Sequence, residues 1–207
     1  MYNTYVSLGS NCEAGFQFER IGYNESSFFR WTLSPYSSTY NLIKNDFQNL
    51  YLKENLVPVW NNMVEDHQYR ISFHSHLLSK QNDQIGKRYF LTDYDFDKIY
   101  QEEYQKIQYF VNKWNSLVNS DKNVLYIIKE ERHGSKSNAE KLLNLFKQKY
   151  PNHKFAIAYI QGQDKYEPDW GLDQLKNIYF PRFAPISQAD DADTAAWDDL
   201  FNRFPLI

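Results

Sequence analysis

Two uninterrupted apolar runs, Val124-Leu125-Tyr126-Ile127-Ile128 and Phe155-Ala156-Ile157-Ala158-Tyr159-Ile160, constrain this chain most. A strand with one wet face alternates, whereas a strand covered on both faces reads as continuous hydrocarbon. Between the runs, Ser137 to Lys149 has a helical pattern that stops before Pro151. A first strand and helix are expected from about Tyr5 to Ile21, with Gly22 just past the helix end. Ser38 to Leu52 reads as a helix, because Tyr40, Ile43, Phe47 and Leu50 recur at three- and four-residue steps. Pro58 argues against helix between Asn55 and Asp66. Tyr69 to Phe73 alternates and reads as a strand, and Ser79 to Lys87 is polar and reads as a loop. Asp95 to Leu117 is the longest helical pattern, Asn177 to Phe180 a short strand, and Thr194 to Phe204 a terminal amphipathic helix. Strands that alternate with helices predict an α/β fold. The expected form is a mainly parallel, doubly wound sheet with helices on both faces, in a single domain over residues 1–207.

Composition narrows the function. A net charge of −3, with Lys and Arg scattered, gives no pull toward nucleic acid. One cysteine excludes an internal disulfide framework and a multi-cysteine zinc site, and fits a reducing compartment. No apolar run approaches transmembrane length, and the start lacks the basic and apolar parts of a signal peptide, so a cytoplasmic protein is expected. No Walker-type loop or GxGxxG is present, and neither a metal nor a resident cofactor is expected. Aromatic content of 18% means that ring contacts should dominate the core.

The cysteine stands in Tyr5-Val6-Ser7-Leu8-Gly9-Ser10-Asn11-Cys12-Glu13-Ala14-Gly15-Phe16, which reads as strand, tight turn and helix start. Ser10 and Glu13 have the spacing of a capping box, which would put Asn11 and Cys12 in the first helical turn. Unpaired N–H groups and the helix dipole there favour negative charge, so a thiol could ionise near neutral pH. A nucleophilic thiol needs a base, usually a histidine. In open parallel sheets ligands bind at the carboxyl ends of strands, and that rule selects Gly9 to Cys12, His74 to His76, Glu130 to Ser135, Gln161 to Lys165 and Pro181-Arg182. His74 and His76, two apart, would point the same way on a strand. His133 lies in a charged loop and is the weaker candidate for the base. His67 and His153 sit in polar surroundings and read as surface residues. Asp190-Asp191-Ala192-Asp193 reads as a helix start capped by Asp193, rather than as a metal motif.

The opening resembles a bacterial family described as papain-like cysteine peptidases. The resemblance rests on Ser7-Leu8-Gly9-Ser10-Asn11-Cys12, on Ser27-Phe28-Phe29-Arg30-Trp31 with Ser34-Pro35, and on Asn45-Asp46-Phe47. Phe73-His74-Ser75-His76, Val124 to Ile128 and Trp197-Asp198-Asp199-Leu200-Phe201 fit it in kind. It implies Cys12 as nucleophile and His74 or His76 as base. Ser10, Asn11, Arg30, Trp31 and His133 are the candidate substrate-binding residues. Two departures stand out: Arg30 replaces the family's usual aspartate, and Ser75-His76-Leu77 replaces a His-Asp-Phe run. The alternating pattern also fits a doubly wound sheet better than a papain fold.

The expected function is cysteine-dependent acyl transfer, as a hydrolase or peptidase, on a small-molecule, peptide or sugar substrate. One alternative is a transferase moving an acyl group from acyl-CoA to a surface polysaccharide. Another is a non-catalytic carbohydrate- or protein-binding module. A metal-dependent glycosyltransferase would rest on the late Asp cluster alone. The oligomeric state is left open.

Overall fold

The computed structural model describes every residue except Asp93 and Arg132. The chain runs through β1 (Thr4–Ser7), α1 (Glu13–Arg20), β2 (Thr32–Leu33), α2 (Tyr36–Lys44), β3 (Leu56–Trp60), β4 (Met63–Asp66) and β5 (Ile71–His74). It continues through β6 (Ser79–Asn82), β7 (Lys87–Phe90), α3 (Phe96–Val118), β8 (Asn123–Lys129), α4 (Lys136–Lys149), β9 (Lys154–Gly162), β10 (Leu175–Phe180) and α5 (Thr194–Arg203).

The two apolar runs became β8 and β9, the central strands of a four-stranded parallel sheet ordered β1-β8-β9-β10. Their alternate side chains feed two cores. Leu125, Ile127, Ala158 and Ile160 pack with Ala14 and Phe18 of α1 and Trp197, Leu200 and Phe201 of α5. Val124, Tyr126, Ile128, Ile157 and Tyr159 face α2, α3, α4 and a second sheet. Helices therefore cover both faces, as expected of strands without polar alternation. The strand order follows the chain without reversing, so the sheet has no topological switch point of the doubly wound kind.

The second sheet is antiparallel, ordered β2-β5-β4-β3, and corrects one expectation. The alternating stretch ending at Phe73 belongs here, as β5, and not in the parallel sheet. Pro58 agrees with the absence of helix: it sits on β3, at the edge of this sheet, paired with Val64 just before a register shift. The polar stretch from Ser79 forms a hairpin, β6 with β7; neither strand has a fully buried residue, so no apolar alternation marked it. The helix expected to reach Leu52 ends at Lys44. Phe47 and Leu50 still reach the core, through irregular backbone with left-handed φ at Asp46, Phe47, Asn49 and Tyr51.

Aromatic rings tie these parts together. Trp114 of α3 lies 5.8 Å from Phe29, 5.7 Å from Phe47, 5.6 Å from Tyr126 and 6.1 Å from Phe146, ring centre to ring centre. Its indole N–H donates to the Tyr150 hydroxyl at 3.1 Å. α1 ends as a Schellman motif on Gly22 (φ +76°): Gly22 N–H donates to Glu19 O at 2.9 Å and Tyr23 N–H to Phe18 O at 2.8 Å.

His153 is buried, contrary to its polar sequence surroundings. Its Nε2 is 2.9 Å from the Tyr126 hydroxyl, and burial pushes its pKa down to about 4. Glu130 is also buried, and burial pushes its carboxyl up to about 7. The two groups drive stability in opposite directions. Between about pH 4 and the ordinary histidine value of 6.5, the unfolded chain takes up a proton that folded His153 refuses, so stability falls on acidification. Between the ordinary carboxyl value of 4.5 and about 7, folded Glu130 keeps a proton that the unfolded chain releases, so stability falls as pH rises. In urea denaturation followed across pH 4 to 8, His153→Gln is expected to flatten the acid-side loss and Glu130→Gln the loss toward neutrality.

Candidate active site

Beyond β1, Leu8 N–H donates to Ile127 O at 2.8 Å, and the chain then leaves the sheet in a left-handed turn with φ +94° at Gly9 and +78° at Ser10. A side chain at Gly9 would put its Cβ 2.7 Å from Ser34 Cβ, so both conformation and space require glycine. Ser10 and Ser34 exchange backbone hydrogen bonds of 2.8 and 3.2 Å. This bridge joins the cysteine turn to the residue after β2, and so to the antiparallel sheet.

The capping box expected from Ser10 and Glu13 does not form. Cys12 is the N-cap residue and its side chain makes no cap. Asn11 Oδ1 accepts instead from Glu13 N–H at 3.1 Å, and the Glu13 carboxylate turns inward. Asn11 and Cys12 thus precede the helix, with the thiol at the positive end of its dipole.

His74, the last residue of β5, brings Nε2 to 3.9 Å from Cys12 Sγ. Among the described residues, that sulfur is the one hydrogen-bond partner of its ring. His76 does not join the pair. β5 ends at His74, so the two-residue alternation fails beyond it. The His76 side chain is 89% exposed, with Nδ1 3.6 Å from Glu103. His133 is exposed on the loop after β8, where its carbonyl accepts from Asn138 Nδ2. Arg30 lies in the interior, its guanidinium donating to the carbonyls of Glu25, Gly15 and Tyr23. It braces α1 against the following loop, and its position directs it away from the substrate-binding role expected of it. Trp31 packs edge-on to Phe16 at 5.1 Å and lines a pocket bordered by His74.

A charged network behind the thiol was not anticipated. Lys129, at the end of β8, is 4% exposed and Glu13 is 0% exposed, and they form an ion pair. Lys129 Nζ also donates to Asn11 Oδ1 at 3.0 Å. Trp197 Nε1 donates to Glu13 Oε1 at 3.0 Å and Ala184 N–H to Oε2 at 3.1 Å. The only sequence sign was a lysine abutting a fully apolar strand and a carboxylate in the first helical turn. For Cys12, burial pushes the thiol up and the Lys129 charge pulls it down, burial being the larger effect. The dipole of α1 and the Lys129 charge thus act on the thiol against its burial.

Cys12 is 8% exposed but opens into a cleft of about 730 Å³ bordered by His74, Leu33, Trp60, Met63, Glu131 and Phe183. No group of three or more His, Cys, Asp or Glu side chains among the described residues could hold a metal ion. Nor is any helix long and apolar enough to cross a membrane among the described residues.

Residues 3–163 match a family model described as "Putative papain-like cysteine peptidase (DUF1796)". The match spans well over half of the chain, and the protein belongs to this family. No curated protein and no solved structure matches it.

Lys129→Met would leave the Glu13 carboxylate buried and unpaired, and is expected to cost about 3–5 kcal/mol of stability. The double variant Glu13→Gln with Lys129→Met should cost less than the two single changes summed, as read from a urea double-mutant cycle. Gly9→Ala, which combines a φ of +94° with the Ser34 clash, is expected to cost on the order of 2 kcal/mol or more in the same assay.

Proposed function

We propose that the protein is a cysteine-dependent hydrolase of the acyl-transfer type, with Cys12 as nucleophile and His74 as general base. The observation that carries this is the 3.9 Å approach of His74 Nε2 to Cys12 Sγ at the edge of an open cleft. Spacing of this kind is loose, as in many resting enzymes, and tightens when substrate displaces water.

In the first step His74 Nε2 takes the thiol proton as Sγ bonds to the substrate carbonyl carbon. The carbonyl π pair moves to oxygen, and the oxyanion forms beside the N-terminus of α1, whose dipole favours negative charge. The oxyanion pair returns and breaks the bond to the leaving group, which departs with the proton from Nε2. Water then attacks the Cys12 thioester, giving its proton to His74, and the acid leaves as Sγ recovers a proton. Lys129 stabilises the sulfur anion by its charge and holds Asn11 so that Cys12 stays at the cap.

The dyad works without a carboxylate on the imidazole, in keeping with arginine at position 30. A reducing, cytoplasmic setting suits a mechanism that needs a free thiol. Turnover of a panel of activated esters and thioesters, with mass spectrometry of the trapped acyl-enzyme, tests the reading. Cys12→Ala is expected to abolish both acylation and turnover. His74→Ala should lower the acylation rate by about 10²–10⁴-fold, whereas His76→Ala should leave it within about twofold. Acylation on another residue, or equal losses at both histidines, would remove the proposal.

A further inference from the structure

A second pocket, of about 490 Å³, is also lined by His74. His74 borders both this pocket and the cysteine cleft. Its walls are apolar: the rings of Phe28, Trp31, Phe73 and Phe110 with Ile99 and Ile107. Trp31, Ile99 and Phe110 are only partly covered, although large apolar side chains ordinarily pack at near-crystalline density. The mouth carries the exposed His76, Glu102 and Lys106, so the pocket is open to solvent and is not a sealed void in the core. Its size and its apolar lining with a few polar groups at the rim are those of a small-molecule site.

The chemistry of the dyad indicates which part of a substrate would enter. The leaving atom receives its proton from His74 Nε2, so the leaving group must stand at the imidazole, whereas the acyl carbon stands at Sγ. We infer that the pocket beyond His74 binds the leaving group of the substrate, and that this leaving group carries a large apolar body. The preferred substrates are then esters, thioesters or amides of an apolar alcohol, thiol or amine. Glu103, at the polar end of the pocket, already accepts from Tyr51 and Ser75.

This inference rests on the Cys12–His74 reading, and the experiment separates the two. S-ethyl, S-(2-phenylethyl) and S-octyl thioacetates differ only in the leaving thiol, and all three deposit the same acetyl group on Cys12. In each, the Sγ–carbonyl bond forms, the bond to the leaving sulfur breaks, and the Cys12 proton passes through Nε2 to the departing thiol. Acetylation rates are measured by intact-protein mass spectrometry beside the same exchange with N-acetylcysteine. The protein is expected to prefer the phenylethyl or octyl donor over the ethyl donor by about tenfold or more, relative to the free thiol. Ile99→Trp, which fills the pocket from α3, should bring that ratio close to one. Ile99→Phe gives a smaller change in the same direction if the larger ring prevents folding. His74-dependent acetylation without any leaving-group preference would overturn the pocket assignment and leave the dyad standing. Absence of His74-dependent acetylation from all three donors would remove both.

Discussion

The ion pair between Glu13 and Lys129 is the interaction on which the site's geometry turns. Both groups are withdrawn from water, a situation that is costly unless each finds partners. Here each finds at least two. The carboxylate takes the ammonium, the Trp197 indole and the Ala184 amide, while the ammonium also takes Asn11. One buried contact therefore ties together the start of α1, the end of β8, the helix α5 and the segment 183–187 that walls the cleft. Hydrocarbon of the same volume could hold those elements together, but it would supply neither a cap for the cysteine turn nor a positive charge beside the sulfur.

A second constraint joins the two sheets. The thiol comes from the parallel sheet and the imidazole from the antiparallel one, so neither sheet alone contains the dyad. The Ser10–Ser34 bridge sets their offset: Ser34 follows β2, and β2 pairs with β5 through Thr32 with Phe73 and Leu33 with Ser72. The left-handed turn at Gly9 and Ser10 is the strained piece that makes this bridge reachable.

Much of the scaffold was legible from the residues. The unbroken apolar runs located β8 and β9, the three- and four-residue periodicity located α3, α4 and α5, and the Gly-Ser-Asn-Cys turn located the thiol. The second sheet was not legible, because pairing between short antiparallel strands leaves no local trace that separates β5 from a strand of the parallel sheet. The hairpin β6–β7 was hidden for a related reason, since a ribbon exposed on both faces shows no alternation. At the site, the residues alone could not show which of His74 and His76 stands beside the thiol, because that depends on where β5 stops. Arg30 and His153 carry polar signatures, yet both are interior, where backbone carbonyls take the guanidinium NH groups of one and a tyrosine hydroxyl meets Nε2 of the other.

The pairing of β1 with β8 has a consequence for how this protein is born. Thr4 lies beside Val124, so two neighbouring strands are separated by roughly 120 residues of chain. At ribosomal speeds of about 5–20 residues per second, the first strand waits on the order of ten seconds for its partner to emerge. Through that interval the nascent antiparallel sheet can form from local hairpins, while the thiol-bearing segment has no edge to join. The cysteine turn thus takes its place beside β8 only after more than half of the polypeptide has been made, and until then no scaffold holds the sulfur beside the His74 ring.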